Sequence, residues 1–151
     1  MTQQEKPLVS AFLCERVLTE VDGPQTYVRV IDTLIGRIPP GTRAKFSVWL
    51  AVILKSGDVT GKFSVGFRMN APDGKVTTLG EDIPVTLKGG EHGASLNIGL
   101  AIDVAVEGLY GVDVLLDGER LTRVPFRVRL EPVPLGHSTQ SEQNQEQSPP
   151  A

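Results

Sequence analysis

The stretch EGLYGVDVLLDGE, residues 107–119, carries the strongest fold signal in the chain. Tyr110, Val112 and Val114 recur at every second position, and this period is typical of a β-strand with one face toward a core. The Asp-Gly pair at 117–118 is typical of a tight turn between antiparallel strands. The stretch therefore predicts one arm of a β-hairpin, and it raises the question whether Tyr110 serves chemistry or the fold.

The register of this hairpin depends on the length of its loop. A two-residue loop pairs Leu116 with Glu119 and places Arg123 beside Val112 on the core face. A three-residue loop pairs Leu115 with Glu119 instead. The residues that then share the core face are Val112, Val114, Thr122, Val124 and Phe126. Because the second register buries an apolar set, the sequence favours the three-residue loop.

Other runs along the chain also indicate strands. FSVGFRMN (63–70) and SLNIGLAIDV (95–104) alternate apolar and polar residues, as expected of half-buried strands in an antiparallel sheet. AKFSVWLAVILK (44–55) is apolar on both faces, which predicts a central strand. TYVRVIDTLI (26–35) is rich in β-branched residues and also predicts a strand.

Turn signals separate these runs at the spacing of a sandwich. They are VDGP (21–24), IPPG (38–41), SGD (56–58), APDG (71–74), KGGEHG (88–93) and LDG (116–118). The stretch LVSAFLCERVL (8–18) is less defined, and residues 13–18 fit either a strand or the start of a helix. Since strands and helices do not alternate, the sequence predicts an all-β fold, a single antiparallel β-sandwich of about 7–9 strands.

Length and composition indicate one globular domain. The chain has 151 residues, a typical domain size. Its net charge of −3 argues against a nucleic-acid or membrane partner, which would favour a basic surface. The sandwich is predicted to span 7–130, after a flexible N-terminus at 1–6. Residues 131–151 are rich in proline, serine and glutamine and have almost nothing to bury, which predicts a disordered tail.

The single cysteine and the N-terminal sequence bear on location. Cys14 has no second cysteine to pair with, and we expect it to be a buried, reduced thiol. The apolar run at 7–13 is interrupted by Glu15 and Arg16, so it is too short for a secretory signal. No stretch reaches the roughly 20 apolar residues of a membrane helix. We therefore expect a cytoplasmic protein.

The candidates for chemistry are few. His92 lies in the glycine-rich loop KGGEHG and His137 lies in the predicted tail, so no ligand set for a metal is evident. The same shortage argues against a Ser-His-Asp or Cys-His site. Glu107 and Asp113 flank Tyr110, but a paired-carboxylate site needs a cleft with aromatic residues that stack on a sugar. The sequence predicts no catalytic residue, no metal site and no cofactor, and hence no enzyme.

The last predicted strand carries the most suggestive surface feature. Arg123, Arg127 and Arg129 share the face opposite Val124, Phe126 and Val128. Arginine is enriched in protein interfaces, so these three residues are the candidates for binding a partner. The alternative interpretation is a solvated outer face, with Glu107 opposite Arg127, that protects an edge strand from self-pairing.

Tyr110 has the position of a tyrosine corner. In immunoglobulin-like sandwiches such a tyrosine follows a loop near the start of the penultimate strand and bonds back to the backbone a few residues upstream. We expect that partner between Ala101 and Glu107. Val112 stands two residues on, where antibody domains have a cysteine, and Trp49 in the third predicted strand suggests the core tryptophan of the same fold. These features favour an immunoglobulin-like sandwich.

The chain as a whole resembles a family of short, uncharacterised bacterial proteins that constitute a domain of unknown function. The resemblance lies in AFLCERVLTEVDG (11–23), VRVIDTL (28–34) and GLYGVDVLLDGERLTRVPFRV (108–128). It implies an immunoglobulin-like β-sandwich in a bacterial cytoplasm and brings no established activity.

Two functions fit these observations. One is a non-catalytic protein-interaction or scaffolding module that binds another protein, or itself, through a sheet face or an exposed edge. The alternative is a small-molecule or carbohydrate binder that uses the loops at 38–41, 71–74 and 88–93, provided that they gather at one end of the sandwich.

Overall fold

The computed structural model describes residues 6–90 and 92–133. Within these ranges the chain forms nine β-strands and no helix. They are β1 (Leu8–Thr19), β2 (Gln25–Ile31), β3 (Thr33–Ile38), β4 (Ala44–Lys55), β5 (Thr60–Asn70), β6 (Val76–Lys88), β7 (Gly93–Val104), β8 (Gly108–Leu116) and β9 (Glu119–Pro132). The predicted all-β fold is confirmed, and β1 shows that residues 13–18 continue a strand. No described residue belongs to a helix with the length and apolarity that crossing a membrane requires.

The strands form two sheets. One has the order β2-β1-β4-β7 and the other has the order β3-β9-β8-β5-β6. All pairings are antiparallel except that of β3 with β9, which is parallel. The chain crosses between the sheets at Asp32, whose carbonyl accepts a hydrogen bond from the Arg127 amide at 2.9 Å. Because β3 pairs with β9, β9 is an interior strand of its sheet. The interpretation that its arginines protect an edge strand from self-pairing is therefore wrong.

The core lies between the two sheets and confirms the sandwich. Its largest fully buried side chains include Phe126, Leu13, Leu50, Leu54, Ile102, Val52, Val112 and Val114. These residues follow the period of two on the strands that supply them, so one face of each sheet turns inward. Removal of this apolar surface from water is the main force that holds the two sheets together. The result is an immunoglobulin-like β-sandwich.

The hairpin between β8 and β9 differs from the prediction in one respect. The turn at 117–118 has two residues, both with positive φ (47° and 84°), as a type I′ turn requires. Leu116 consequently pairs with Glu119, the register that the sequence argument disfavoured. A β-bulge then shifts the pairing by one residue, so that Val112 lies opposite Val124. The loop prediction is wrong, but the predicted core face is right because the bulge restores it.

Trp49 lies on the outer face of β4 rather than in the core. Its side chain is 38% exposed, and its ring lies about 3.8 Å from the point where Gly99 would carry a Cβ atom. The inward positions of β4 are the even-numbered ones, such as Leu50, so an odd-numbered residue must point outward. The expected match to the core tryptophan of the immunoglobulin fold is therefore wrong. Cys14 is buried, as predicted, and burial raises the pKa of its thiol.

The end of β9 lies beyond the predicted domain boundary at 130. Glu131 pairs with Arg37, and their side chains form an ion pair with 3.3 Å between Oε2 and Nε. The Val133 amide donates to the Ile38 carbonyl at 3.0 Å. The ordered strand thus includes the first residues assigned to the tail, and the rest of that segment, from 134, lies outside the described residues.

Candidate functional site

Tyr110 belongs to the fold. Its side chain is only 3% exposed, and its hydroxyl donates to the Val106 carbonyl at 2.7 Å. Its ring stacks on Phe126 with the centroids 5.4 Å apart. Burial raises the pKa of the hydroxyl, with the charge of Asp73 acting in the same direction. The predicted tyrosine corner is confirmed, and its backbone partner lies within the expected segment.

Glu107 and Asp113 do not form a carboxylate pair. The Glu107 Oε1 atom accepts a hydrogen bond from the Leu130 amide at 2.6 Å. Asp113 stands an odd number of residues from Tyr110 on the same strand, so it points to the opposite face of the five-stranded sheet. The two acids therefore serve different parts of the structure.

Asp113 is the centre of a polar cluster on the outward side of that sheet. Although it faces away from the core, its exposed fraction is 0%. Arg123 donates to both carboxylate oxygens, from Nε to Oδ1 at 2.6 Å and from Nη2 to Oδ2 at 3.2 Å. Asn70 Nδ2 donates to Oδ2 at 2.9 Å, and Arg68 Nη2 approaches the same atom at 3.4 Å. One carboxylate thus holds two arginines and an amide.

The electrostatics of the cluster fix Asp113 in its charged form. The hydrogen bonds from Arg123 lower the pKa of the Asp113 carboxyl from 3.8 to about 2, against the opposing effect of burial. The same contact raises the pKa of the Arg123 guanidinium. At neutral pH the cluster therefore contains two positive charges and one negative charge. This state suits a site that binds anions and is unsuited to a general acid.

Three neighbouring strands bring the cluster together. Asp113 pairs with Arg123 on β9 and with Arg68 on β5, so the three side chains stand side by side on one face. Gly111 makes room for the Arg123 stem, because a Cβ atom at this glycine would lie 2.8 Å from the Arg123 Cδ. The stem and the guanidinium together cover the carboxylate.

The other predicted arginines lie on the same face. Arg127 and Arg129 are exposed, and neither forms an ion pair with any other residue in 6–90 or 92–133. We call the outer side of the five-stranded sheet that carries Arg68, Arg123, Arg127 and Arg129 the arginine face. The sequence placed its three β9 members on one face correctly, and their role in binding stays a prediction.

Sequence reasoning missed Arg68 and Asn70, and it considered Asp113 only as a possible partner of Glu107. The alternation of residues 63–70 had put Arg68 and Asn70 on the polar face of their strand. An aspartate between two valines on one arm of the predicted hairpin also signalled an outward, charged position. The order of the strands could not be predicted from the sequence, because β5 and β9 become the neighbours of β8 only in the folded sheet.

The remaining candidates that the structure describes do not form a metal site. Among the described residues no group of three histidine, cysteine or acidic side chains is placed to hold a metal ion. His92 is exposed, and its backbone carbonyl accepts hydrogen bonds from the Ser56 amide and hydroxyl at 3.0 and 2.8 Å. Glu91, the neighbour of His92 in the loop KGGEHG, and His137 lie outside the described residues.

The three loops proposed for a ligand pocket do not gather at one end. The loop at 38–41 precedes Ala44 at one end of β4, and the loop at 71–74 lines a cavity beside it together with Arg43. The loop at 88–93 lies at the other end of β4, where Gly93 pairs with Lys55. A ligand pocket formed by all three loops would require them to lie at the same end of the sandwich, and this requirement is not met.

Fold and site together define a β-sandwich domain with a polar cluster on an outer sheet face. The family DUF6941, a family of unknown function, matches residues 9–129, and the chain belongs to this family. No curated protein matches the chain.

The solved structures that are similar to the chain share little sequence with it. The alkylpurine DNA glycosylase AlkC of Pseudomonas fluorescens, bound to DNA with an abasic site analog, is 17% identical over 79% of this chain and 30% of that one, with a TM-score of 0.44. A β-glucosidase from Listeria innocua is 12% identical over 87% of this chain and 17% of the glucosidase chain, with a TM-score of 0.45. The CARDB domain of the PF1109 protein from Pyrococcus furiosus, in complex with di-metal ions, is 15% identical over 87% of this chain and 100% of the CARDB chain, with a TM-score of 0.34. This chain spans less than a third of either enzyme, and similarities of this size carry no conclusion about its activity.

Proposed function

We propose that this chain is a non-catalytic protein-interaction module of a bacterial cytoplasm and that it binds its partner through the arginine face. The observation that carries the proposal is a group of four arginines on one sheet face, Arg68, Arg123, Arg127 and Arg129, the first two of which bond to the buried Asp113. A face that only needs to stay solvated does not require a fully buried carboxylate, because burial of a charge costs free energy that its partners only partly return. Fixed arginines are instead what a binding surface requires, since less side-chain entropy is lost on association.

Exposed apolar residues between the arginines support a protein partner. Leu109 is 52% exposed and pairs with Arg127, while Ile35 is 50% exposed and pairs with Arg129. Pro125 is exposed between Arg123 and Arg127. Protein interfaces combine arginine with apolar residues in this way, whereas a surface for nucleic acid is mainly basic.

Two further observations support the other parts of the proposal. The candidate acids Glu107 and Asp113 are engaged in structural hydrogen bonds, which supports a non-catalytic role. The buried thiol of Cys14, the one cysteine of the chain, is compatible with a reducing compartment such as the cytoplasm.

The test is affinity capture from an extract of the native organism with three immobilised forms of the protein. These are the wild type, the double variant Arg127→Ala/Arg129→Ala, and a control variant, Arg16→Ala/Lys45→Ala, that removes two exposed cations from the four-stranded sheet. We expect the wild type and the control to retain the same protein and the arginine variant to lose it. Equal retention by all three forms would contradict the proposal. Thermal melts establish that both variants are folded.

A further inference from the structure

The arginine face has a regular spacing that restricts what can bind it. Arg123 and Arg127 are four residues apart on β9 and point the same way, which separates their Cα atoms by about 13 Å. Pro125 stands midway between them, and Leu109 lies beside Arg127 on the neighbouring strand. A shallow depression lined by Asp32, Thr33, Leu109, Pro125, Phe126 and Arg127 opens at this point. Along β9 the face therefore presents a cation, an apolar contact and a second cation.

Asp113 gives the first of these cations a fixed orientation. The two hydrogen bonds from Arg123 to the carboxylate hold the guanidinium in one plane, and Arg68 lies on the opposite side of the same carboxylate. The guanidinium groups remain partly open to solvent, since the side chains of Arg68 and Arg123 are 42% and 46% exposed. Their outward N–H groups are available to a second carboxylate.

An extended peptide matches this spacing. Its residues rise by about 3.3 Å each and alternate between two faces, as those of β9 do. Carboxylates four residues apart can therefore meet Arg123 and Arg127, and the residue midway between them meets Pro125 and Leu109. A phosphate group would not use the apolar contact. The face is also an open sheet surface without the converging backbone amides of a phosphate site.

We propose that the arginine face recognises an extended protein segment in which two acidic residues, four positions apart, flank an apolar residue. The inference rests on the proposed function and names the chemistry of its partner. Asp113 acts as a positioning residue, because it holds Arg123 and Arg68 without contacting the partner itself.

The first test uses three blocked heptapeptides and an NMR titration of the full-length protein. Ser-Glu-Ser-Leu-Ser-Glu-Ser carries the proposed pattern. Ser-Glu-Leu-Ser-Ser-Glu-Ser has the same composition with the leucine on the opposite face, and the third peptide replaces both glutamates of the first with lysine. We expect the first peptide to shift amide signals of β8 and β9 and to bind about fivefold more tightly than its isomer, the effect of one partly buried leucine. The lysine peptide should not bind.

The second test measures binding of the first peptide to Asp113→Asn. This substitution adds one unit of positive charge to the face, so attraction by net charge alone predicts tighter binding. Loss of the fixed arginine orientation predicts weaker binding, by about threefold or more, and this is the result that we expect. Arg123→Lys keeps the charge, removes the planar group that bonds Asp113, and should weaken binding in the same way even if Asp113→Asn does not fold.

Three results would overturn the inference: equal affinity for the two acidic isomers, tighter binding to Asp113→Asn, or signal shifts confined to another surface. These outcomes are distinct from failure of the proposed function. If the capture experiment retains no partner while the peptides behave as expected, the proposed recognition of acidic peptides is supported and the proposed function as a protein-interaction module is contradicted. If a partner is captured through the arginines and the peptides do not discriminate, the function holds and the recognition pattern is wrong.

Discussion

Tyr110 and Asp113 are three residues apart on β8, and they show two different ways to satisfy a buried polar group. The Tyr110 hydroxyl points into the core and bonds to a carbonyl four residues upstream. Asp113 points away from the core and is bonded by side chains of two other strands, at sequence separations of 10, 43 and 45 residues. The first contact is local, and the second exists only when three strands have assembled.

This difference separates a residue of the fold from a residue with a candidate function. A local contact such as that of Tyr110 fixes the path of the chain at one corner of the sandwich. The contacts of Asp113 fix no path of the chain, because the pairing of β8 with its neighbours already does so. They determine instead how two arginines are presented to solvent.

Loss of the Tyr110 ring should have the largest effect. In Tyr110→Ala the core loses an aromatic side chain that packs on Phe126, and the cavity should lower the free energy of unfolding by about 3–5 kcal/mol. Urea denaturation measures the change. Tyr27→Ala is the control, because Tyr27 is only half-buried and should cost less. An equal loss in the two variants would show that Tyr110 has no special place in the core.

Loss of the Asp113 carboxylate should cost less, because its arginine partners can turn to water. We expect Asp113→Ala to lower the free energy of unfolding by about 1.5–3 kcal/mol, the range for hydrogen bonds to a charged group. The matched control is Asp103→Ala, which breaks an exposed ion pair with Arg43 and should cost about 0–1 kcal/mol. Similar values for both variants would mean that the cluster is an ordinary surface ion pair.

Acid should remove the same contribution in the wild type. The pKa of Asp113 is about 2 in the folded protein, below the value of 3.8 for an unperturbed carboxyl. A lowered pKa contributes stability above the unfolded value, and this contribution is lost as the pH falls through the folded value. The difference in stability between wild type and Asp113→Asn should therefore be constant above about pH 5 and should shrink by about 2 kcal/mol between about pH 5 and pH 2. A difference that stays constant over this window would refute the assignment.

Removal of only the Tyr110 hydroxyl should have a smaller effect. Tyr110→Phe keeps the ring and loses one hydrogen bond, which predicts a decrease of about 0.5–1.5 kcal/mol in the free energy of unfolding. Tyr27→Phe serves as the control, because its hydroxyl contacts Gln25 at the exposed surface and should contribute almost nothing. Unchanged stability of Tyr110→Phe in denaturant would contradict the tyrosine corner as a stabilising contact.

Truncation after Val133 should have the smallest effect. The segment from 134 on has no apolar pattern, so its removal should leave the melting temperature unchanged within about one degree. Truncation after Leu130 should lower it measurably, because it also removes Glu131 and the amide of Val133, which bond to β3. Equal melting temperatures for the two truncated proteins would show that these contacts do not stabilise β9.

Patterns with a period of two were sufficient to predict most of the fold. The alternation in 63–70 and 95–104 and the turn signals indicated a sandwich, because each depends on neighbours in the chain. The same reasoning failed at the hairpin between β8 and β9, where the preferred length of the turn and the alternation of core residues favoured different registers. The turn at 117–118 obeys its own φ preferences, and the bulge in β9 that reconciles it with the core face has no clear sequence signal.

Trp49 shows a second kind of limit. A tryptophan in an apolar run suggests burial. Alternate residues of a strand point to opposite faces, however, and in β4 the even-numbered positions point into the core. Gly99 on the neighbouring strand gives the ring a flat surface to lie on. That neighbour is 50 residues away in the sequence and is adjacent only through sheet pairing.

Patterns in the sequence alone were enough to predict the class of fold, the tyrosine corner at Tyr110 and the common face of Arg123, Arg127 and Arg129. Each of these follows from contacts or periodicities within a few residues, where the geometry of a strand is known in advance. By contrast, the folded structure is needed to establish that β3 pairs with β9, that Trp49 lies on the outer face, and that Asp113 holds Arg68 and Arg123 together. These features depend on strand order, which is set by the packing of the whole core rather than by any local stretch of the chain.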